Sequence, residues 1–329
     1  MKPVVIVTEK EFFKAEALFK SCRKFSCKPA KPGERLLAEC ILRENAFAAV
    51  VGTEKYRDRL YRALPGGGVI ARFGVGHDGI DKTKASECGL LVTNTPGVLE
   101  GSVAEHAMIL MASFARNIAA GHHEMKNGRW NPLMGFELRG KTLLIIGCGP
   151  IGRKTAEIAS RGFGMNVTGY DIARLDSVRK KKSGFSSICS KLDRALAEAD
   201  FVSLHVPLTP STKHLVNSSF ISMMKPGCVL VNTARGRLVD ESALYDALRN
   251  GRLSGAALDV FENEPFKPVN ERKDLRGLDN VLLSPHVASG TIEACARMAA
   301  KCLKNIEHAY GKNYDNLNLL NTSVLKLLK

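Results

Sequence analysis

The sequence has no cysteine pair at metal-binding or redox spacing and no apolar run long enough to cross a membrane. Its nine cysteines are scattered over 329 residues, and none belongs to a CxxC pair. Unpaired cysteines in apolar surroundings behave as small hydrophobic residues, which is typical of a reduced chain. The most apolar helical stretch, Ala107 to Ala115, is far shorter than the roughly 20 residues that span a bilayer. We therefore expect a cytoplasmic protein without a membrane association.

Positive charge, in contrast, is present in excess. The chain carries 48 Lys and Arg against 33 Asp and Glu, which gives a formal net charge of +15. This balance suggests an anionic partner such as nucleic acid, a membrane surface or a phosphorylated small molecule. No aromatic-rich basic strip or nucleic-acid motif accompanies the charge, and the basic run at 179–182 is typical of a solvated loop. A nucleic-acid partner is therefore disfavoured, and no histidine set shows metal-ligand spacing.

Short β-branched segments alternate with helical patterns along most of the chain. Such alternation favours parallel sheets covered by helices on both faces. Ten strands exceed one sheet of ordinary size, so two doubly wound α/β domains are expected. The predicted strands are Val4–Val7, Ala48–Val51, Val69–Ala71, Leu90–Thr93, Leu143–Ile146, Val167–Tyr170, Phe201–Leu204, Val229–Asn232, Ala256–Asp259 and Val281–Leu283.

A long apolar helix over Glu100–Asn117 is predicted to join the two domains. A second crossing is expected near Ser289–Thr291, before a last helix over Ile292–His308 returns to the first domain. The first domain is therefore expected to be discontinuous, with residues 1–98 and 291–329, and the second to be inserted into it as residues 99–290. Shorter helices are predicted over Lys10–Lys20 and Ser242–Asn250.

A glycine-rich turn follows the predicted strand that ends at Ile146. Gly147, Gly149 and Gly152 have G-x-G-x-x-G spacing, and a helix pattern comes next. In this context the first glycine permits the tight turn, the second lets a pyrophosphate approach, and the third lets the helix pack closely on its strand. Pro150 lies in the first helical turn, where its missing N–H has no intrahelical partner. The turn predicts a dinucleotide-binding Rossmann domain.

Asp171 ends the next predicted strand, 19 residues after Gly152. A carboxylate at this distance binds the ribose hydroxyls of the dinucleotide. Its charge would repel the 2′-phosphate of NADP, although Arg174 nearby could soften that preference. The sequence therefore predicts NAD as the cofactor.

Three polar residues follow later predicted strands, at the sheet edge where ligands bind in open α/β sheets. The arginine, Arg235, would hold a substrate carboxylate through its charged fork. The histidine, His286, would exchange a proton with the neighbouring oxygen, and Glu264 would orient and stabilise the imidazole. This set predicts hydride transfer between C2 of a 2-hydroxy or 2-oxo acid and the cofactor.

In the order of its motifs, the chain resembles the NAD-dependent D-2-hydroxyacid dehydrogenases, especially their phosphoglycerate dehydrogenase-like branch. The resemblance covers nearly the whole chain and implies that the first domain is a flavodoxin-like substrate-binding domain. Besides the glycine turn and the three polar segments, the matching stretches are Arg72–Asp81, Asn94–Gly97, Val103–His106 and His205–Pro210.

The resemblance also implies roles for individual residues. The substrate carboxylate would meet the N–H groups of Val75 and Gly76, and Arg72 would pair with a substrate phosphate. A homodimer is implied, with Glu100–Asn117 and the segment around Trp130 at its interface. The implied cofactor contacts are Pro150 and Ile151 at the pyrophosphate, Val206 at the adenosine, and Thr233, Ala234 and Asp259 at the nicotinamide.

The resemblance leaves the substrate open between several acids. A substrate of the 3-phosphoglycerate or hydroxypyruvate type is the first expectation. Gly52 departs from the many phosphoglycerate dehydrogenases that have another phosphate-binding arginine there. A reductase of glyoxylate or another 2-oxo acid, or a phosphonate dehydrogenase, is therefore the alternative. An alternative of another class is an NAD-sensing interaction protein, as transcriptional corepressors of this family are.

Overall fold

Residues 2–173 and 183–328 are described by the computed structural model, in which the chain divides into two compact units. Unit 1 comprises Met1–Leu99 and Ser289–Lys329, and unit 2 comprises Glu100–Ala288. Each unit contains one parallel sheet, which confirms the predicted fold class of two α/β domains. Arg174 and the basic run 179–182 lie outside the described residues.

The strands and helices are numbered in chain order over the described residues. The strands are β1 (Val4–Thr8), β2 (Ser26–Ala30), β3 (Ala48–Val51), β4 (Val69–Arg72), β5 (Leu91–Thr93), β6 (Thr142–Ile146), β7 (Asn166–Tyr170), β8 (Ser187–Cys189), β9 (Phe201–Leu204), β10 (Cys228–Asn232), β11 (Leu253–Leu258) and β12 (Val281–Leu283). The helices are α1 (Glu9–Lys14), α2 (Glu16–Lys20), α3 (Glu34–Arg43), α4 (Arg59–Ala63), α5 (Lys82–Glu87), α6 (Glu100–Ala115), α7 (Ile118–Lys126), α8 (Pro150–Phe163), α9 (Leu192–Glu198), α10 (Ser218–Met223), α11 (Glu241–Arg249) and α12 (Ile292–Tyr310).

The sheet of unit 1 has the order β2-β1-β3-β4-β5, with every pairing parallel. This is the flavodoxin-like order, in which the direction of winding reverses between β1 and β3. Sequence reasoning missed β2, since this edge strand contains Lys28 and Pro29 instead of an apolar run. Proline is tolerated at a sheet edge, where one side of the strand needs no partner.

The C-terminal residues cover the opposite edge of this sheet. Asn321 is buried; its side-chain oxygen accepts a hydrogen bond from the Val92 N–H at 2.9 Å, and its amide donates to the Leu90 carbonyl at 2.8 Å. Helix α12 packs against β4 and β5 of the same unit. The end of the chain therefore satisfies the backbone groups that β5 would otherwise leave open.

Two predicted helices differ from the observed ones. The helix expected over Lys10–Lys20 is interrupted at Ala15, whose φ of −144° and ψ of 40° are not helical, and so forms α1 and α2. The helix expected over Glu100–Asn117 ends at Ala115, and Asn117 adopts a left-handed φ of 52° before α7 begins. No helix among the described residues is long and apolar enough to cross a membrane.

The sheet of unit 2 has the order β12-β11-β10-β9-β6-β7-β8 and is also parallel throughout. Alternate residues of its central strands pack into separate cores on the two faces, Leu144 and Leu230 on one and Leu143 and Val231 on the other. Burial on both faces explains why these strands appear as continuous apolar runs. Sequence reasoning missed β8, a three-residue strand at the sheet edge.

The register of this sheet aligns the carboxyl ends of six strands. Ile146 pairs with Tyr170 and with Leu204, and the alignment continues through Asn232, Leu258 and Leu283. The residues that come next in the chain therefore stand in one row along the edge. They are Asp171, Gly147, His205, Thr233, Asp259 and Ser284.

Candidate active site

The glycine turn after β6 is shaped by close backbone contacts. Gly147 has a φ of 98°, and a Cβ on it would lie 2.5 Å from the His205 carbonyl oxygen. A Cβ on Gly152 would overlap the Gly147 carbonyl oxygen. No heavy atom of the described residues lies within 4 Å of a Cβ built on Gly149. The turn is thus closed on its inner side and open at Gly149.

Helix α8 begins at this opening. Gly149 is its N-cap and supplies no side-chain hydrogen bond, so the first N–H groups of the helix are not capped by a side chain there. These donors and the positive end of the helix dipole favour an anion. Asp171 accepts hydrogen bonds from the N–H groups of Cys148 at 2.7 Å and Ala173 at 2.9 Å. Its carboxylate therefore ties the glycine turn to the end of β7.

The surroundings of the turn fit a nicotinamide dinucleotide. The Thr233 hydroxyl, which is predicted to lie at the nicotinamide, is buried without a hydrogen-bond partner among the described residues. An orphaned buried hydroxyl of this kind needs a polar partner. Burial lowers the pKa of His205 to about 4, and its Nε2 lies 2.9 Å from the Ser203 hydroxyl. His205 is consequently neutral at pH 7 where it borders the turn.

Arg235 is placed by a residue that sequence reasoning missed. The fully buried Asn232 accepts a hydrogen bond from the Ala234 N–H at 3.0 Å and donates one to the Arg235 carbonyl at 2.8 Å. This side chain folds the backbone into the turn from which Arg235 emerges. The available signal was a polar residue at the end of the apolar segment Cys228–Val231.

The structure brings His286 and Glu264 together. The Nδ1 of the histidine lies 2.6 Å from Oε2 of the glutamate, whose Oε1 accepts a hydrogen bond from the Phe261 N–H at 3.1 Å. Burial by itself raises the pKa of Glu264, but the His286 contact, the Phe261 N–H and the charge of Arg235 outweigh it and hold the pKa below its usual range. An ionised Glu264 stabilises the protonated imidazole.

The segment that carries His286 depends on Asp259. This carboxylate is fully buried and accepts hydrogen bonds from the Ser284 hydroxyl at 2.6 Å and from the N–H groups of Val287 and Ala288 at 2.9 Å. Burial tends to raise its pKa, yet these hydrogen bonds together with one from His106 hold it below the usual range. The sequence predicts that Asp259 lies near the nicotinamide. In the structure, both of its carboxylate oxygens accept hydrogen bonds from the segment after β12.

In unit 1, Arg72 shapes the loop of residues 73–76. Its Nε donates to the Gly76 carbonyl at 2.7 Å and its Nη1 to the Phe73 carbonyl. Within the described residues, the N–H groups of Val75 and Gly76 make no hydrogen bond. Adjacent N–H groups of this kind form an anion-binding nest. The guanidinium of Arg72 is buried and bonded to its own loop. Its pairing with a substrate phosphate stays a prediction.

Over residues 2–173 and 183–328, the structure has no group of three or more His, Cys, Asp or Glu side chains that could hold a metal ion. The nine cysteines are all free. Among the groups at the carboxyl edge of the unit 2 sheet, His286, held by Glu264, is suited to proton exchange.

Comparison with known proteins finds relatives over most of the chain. Residues 108–288 match the family model of the D-isomer specific 2-hydroxyacid dehydrogenase, NAD binding domain. The chain is 37% identical over 304 residues to a glyoxylate reductase of Korarchaeum cryptofilum, which covers 91% of this chain and 89% of that protein. It is 43% identical over 228 residues to a D-3-phosphoglycerate dehydrogenase of Methanocaldococcus jannaschii, which covers 69% of this chain and 42% of that protein.

A solved structure shows the likeness in three dimensions. The NADPH-dependent glyoxylate/hydroxypyruvate reductase of Sinorhizobium meliloti, in complex with NADP and malonate, superposes with a TM-score of 0.80 at 31% sequence identity. The superposition covers 94% of each chain. The nicotinamide dinucleotide cofactor of this chain is thereby supported by both a family model and a structural neighbour.

The two glycines of the turn should respond differently to substitution by alanine. Gly147→Ala should destabilise the protein by about 1–3 kcal/mol, because its positive φ and the His205 carbonyl oppose a Cβ. Gly149→Ala should leave the melting temperature unchanged, yet weaken NADH binding by about tenfold or more, because its Cβ fills the open side of the turn. Thermal denaturation and NADH fluorescence titration measure the two effects. Equal NADH affinity in Gly149→Ala and wild type would contradict the assignment of this opening.

Proposed function

This chain belongs to the D-isomer-specific 2-hydroxyacid dehydrogenases, which are oxidoreductases acting on CH–OH groups, and we propose that it reduces a small unphosphorylated 2-oxo acid with NADH. The observation that carries the catalytic part is the 2.6 Å contact between His286 Nδ1 and Glu264 Oε2. This contact occupies Nδ1 and leaves Nε2 as the ring atom for proton exchange with a substrate. Glyoxylate and hydroxypyruvate are the proposed substrates.

The roles of the side chains follow from their chemistry. The nicotinamide, when bound, gives or takes the hydride. His286 donates a proton from Nε2 to the substrate oxygen during reduction and takes it back during oxidation. Arg235 holds the substrate carboxylate and polarises the neighbouring oxygen. Glu264 keeps the ring in place and stabilises its protonated form, because its own pKa lies below the usual range.

Unit 1 supplies the proposed carboxylate nest at Val75 and Gly76. The Gly74 carbonyl, which shares a peptide group with the Val75 N–H, accepts a hydrogen bond from the Thr95 N–H at 3.0 Å. The Val75 carbonyl, which shares a peptide group with the Gly76 N–H, accepts one from the Asn94 amide at 2.9 Å, so both peptide groups are fixed in orientation. Backbone donors fixed in this way bind an anion without the entropy cost of ordering a long side chain.

A buried carboxylate at the winding reversal of unit 1 favours an unphosphorylated substrate. Glu11 lies in the first turn of α1, just after β1, and is only 6% exposed; it accepts a hydrogen bond from the Thr8 hydroxyl, and its Oε1 lies 3.7 Å from Lys14 Nζ. A Cβ on Gly52, which follows β3, would lie 2.6 Å from Glu11 Oε1. The carboxylate therefore fills the space that a side chain at position 52 would need. Ligands of open α/β sheets bind at this crevice, and like charges repel across short distances.

Asp171 supports the proposed preference for NAD. Two backbone N–H groups hold its carboxylate at the end of β7, and the side chain stays partly exposed. A fixed negative charge at this place accepts hydrogen bonds from ribose hydroxyls and repels a 2′-phosphate.

His286→Ala should abolish turnover while NADH still binds. Loss of the proton-exchanging group should lower kcat by about 10²- to 10⁴-fold, whereas the glycine turn is untouched. Stopped-flow or steady-state measurement at the nicotinamide absorbance, with a parallel NADH titration, gives both values. His308→Ala, on α12, is the control and should behave as wild type. Full turnover in His286→Ala would remove this residue from the mechanism.

The substrate proposal predicts a charge-dependent selectivity. Wild type should use hydroxypyruvate with a kcat/KM about tenfold or more above that for 3-phosphohydroxypyruvate, because Glu11 repels the phosphate. Glu11→Gln should narrow this ratio, and Glu16→Gln, which removes an exposed carboxylate on α2, should not. A higher kcat/KM for the phosphorylated acid in wild type would refute the proposed substrate class.

We also propose a homodimer formed through an apolar surface of unit 2. This surface lies on α6, α7 and the segment after them, and it exposes several large apolar side chains that a monomer would leave in water. They are Ile109, Ile118, Met125, Trp130, Leu133, Met134 and Phe136.

Trp130→Ser should dissociate this dimer. The side chain is 85% exposed, and large aromatic residues supply much of the binding energy at interfaces. Light scattering coupled to size-exclusion chromatography would show a shift from about 70 kDa to about 35 kDa, twice and once the mass of one chain. Ile292→Ser is the matched control, since this side chain is also 85% exposed. A wild-type protein that elutes as a monomer would contradict the proposal.

A further inference from the structure

The turn that carries Glu264 is bonded to a second pair of glutamates. The N–H of Glu262 donates to Glu241 Oε1 at 2.6 Å, and the N–H of Glu241 donates to Glu262 Oε1 at 3.2 Å. Glu241 is the first residue of α11 and is buried. Because each residue accepts from the backbone of the other, the start of α11 and the Glu264 turn are held in one register.

Two further contacts hold the same turn. Nε2 of His214 lies 2.9 Å from Glu262 Oε2, and Nε of Arg237 donates to the Glu262 carbonyl at 3.4 Å. A Cβ on Gly236 would overlap the carbonyl carbon of Phe261, so the backbone next to Arg235 touches the turn directly. The turn is therefore fixed from the residues that follow β10 as well as from α11.

Glu264 in turn depends on this backbone for its position. Its Oε1 accepts a hydrogen bond from the Phe261 N–H, which leaves Oε2 directed at His286. Residues 261–264 therefore act as one rigid piece. A shift of the Glu262 backbone would move both the Phe261 N–H that holds Oε1 and the main chain of Glu264 that carries the carboxylate. Misplacement of a catalytic contact by about 1 Å can cost about 100-fold in rate.

We propose that Glu241 is a positioning residue for the His286–Glu264 pair, acting through the backbone of Glu262. The inference rests on the proposed function, since it assigns Glu241 to the same reaction. It requires no contact between Glu241 and substrate or cofactor.

The charges around Glu241 perturb the protonation of its carboxyl. Burial raises its pKa to about 7; the carboxylates of Glu262 and Glu264 add to the rise, whereas the Glu262 N–H and His214 oppose it. The other charged groups facing this cluster are Arg237 at Glu262, and His286 and Arg235 at Glu264. As pH rises through about 7, the Glu241 carboxyl therefore loses its proton and gains a negative charge beside Glu262.

The same shift makes stability depend on pH. A carboxyl whose pKa is raised on folding favours the folded state while it is protonated. Its contribution is complete below the ordinary carboxyl range and is lost as pH rises through about 7. When the pH is raised from about 5 to about 8, the melting temperature of Glu241→Gln should therefore fall by less than that of wild type.

The experiment that tests the positioning role compares Glu241→Gln with Glu241→Ala. The alanine variant leaves the Glu262 N–H without its acceptor, so kcat should fall by about 100-fold, with KM for NADH unchanged. The glutamine variant keeps an acceptor oxygen for the Glu262 N–H, so its loss of kcat should be about tenfold smaller than that of the alanine variant. At one fixed pH, the ring NMR signals of His286 in the free protein should move in the alanine variant and stay close to wild type in the glutamine variant, because only the alanine variant releases the turn that holds Glu264. Glu198→Gln, an exposed carboxylate on α9, is the control and should match wild type.

The readouts separate the two proposals. If wild type reduces no 2-oxo acid, the proposed function fails, while the His286 ring signals need no substrate and still test the positioning role. If Glu241→Ala does not fold, His214→Asn takes its place, because asparagine tolerates the left-handed φ of 51° but is too short to reach Glu262. It should lower kcat with KM for NADH unchanged. Unchanged His286 ring signals in Glu241→Ala, or an unchanged kcat in that variant or in its replacement, would overturn the positioning role.

Discussion

Asp259, a carboxylate with no exposed surface, connects the end of β11 to the segment after β12 that carries His286. Its side chain accepts hydrogen bonds from the Ser284 hydroxyl and from two backbone N–H groups of that segment, and its own carbonyl accepts the His286 N–H at 2.7 Å. Breaking these bonds would leave a buried charge unpaired, at a cost of several kcal/mol. The histidine keeps a left-handed φ of 53° because its backbone is held from both sides.

Three carboxyl groups of unit 2 show how environment divides their roles. Asp259 is fully buried and Glu264 is partly exposed, and the hydrogen-bond donors and positive charges around each of them hold its pKa below the usual range. Glu241 is buried beside two other carboxylates and accepts one backbone N–H, so its pKa rises to about 7. The number of donors, more than burial itself, therefore decides which of these groups is ionised at neutral pH.

Backbone N–H groups provide much of the proposed anion recognition in both units. The start of α8 offers them beside Gly149, and the loop after β4 offers those of Val75 and Gly76. Arg72 contributes by fixing the loop through its carbonyl groups. Donors built into the backbone are preorganised, so only a few of the 48 basic residues are needed for the proposed cofactor and substrate.

The sequence by itself determined the α/β class and the glycine turn. Central parallel strands are buried on both faces, so stretches such as Val229–Val231 stand out as apolar runs, and the turn has a fixed spacing. The edge strands β2 and β8 gave no such signal, because neither is a continuous apolar run: β2 contains Lys28 and Pro29, and β8 begins with Ser187. Only the tertiary structure decided that Asp259 meets Ser284 and that Glu241 meets Glu262. These partners lie 25 and 21 residues apart, and the alignment of strand ends brings them together where no local pattern could indicate it.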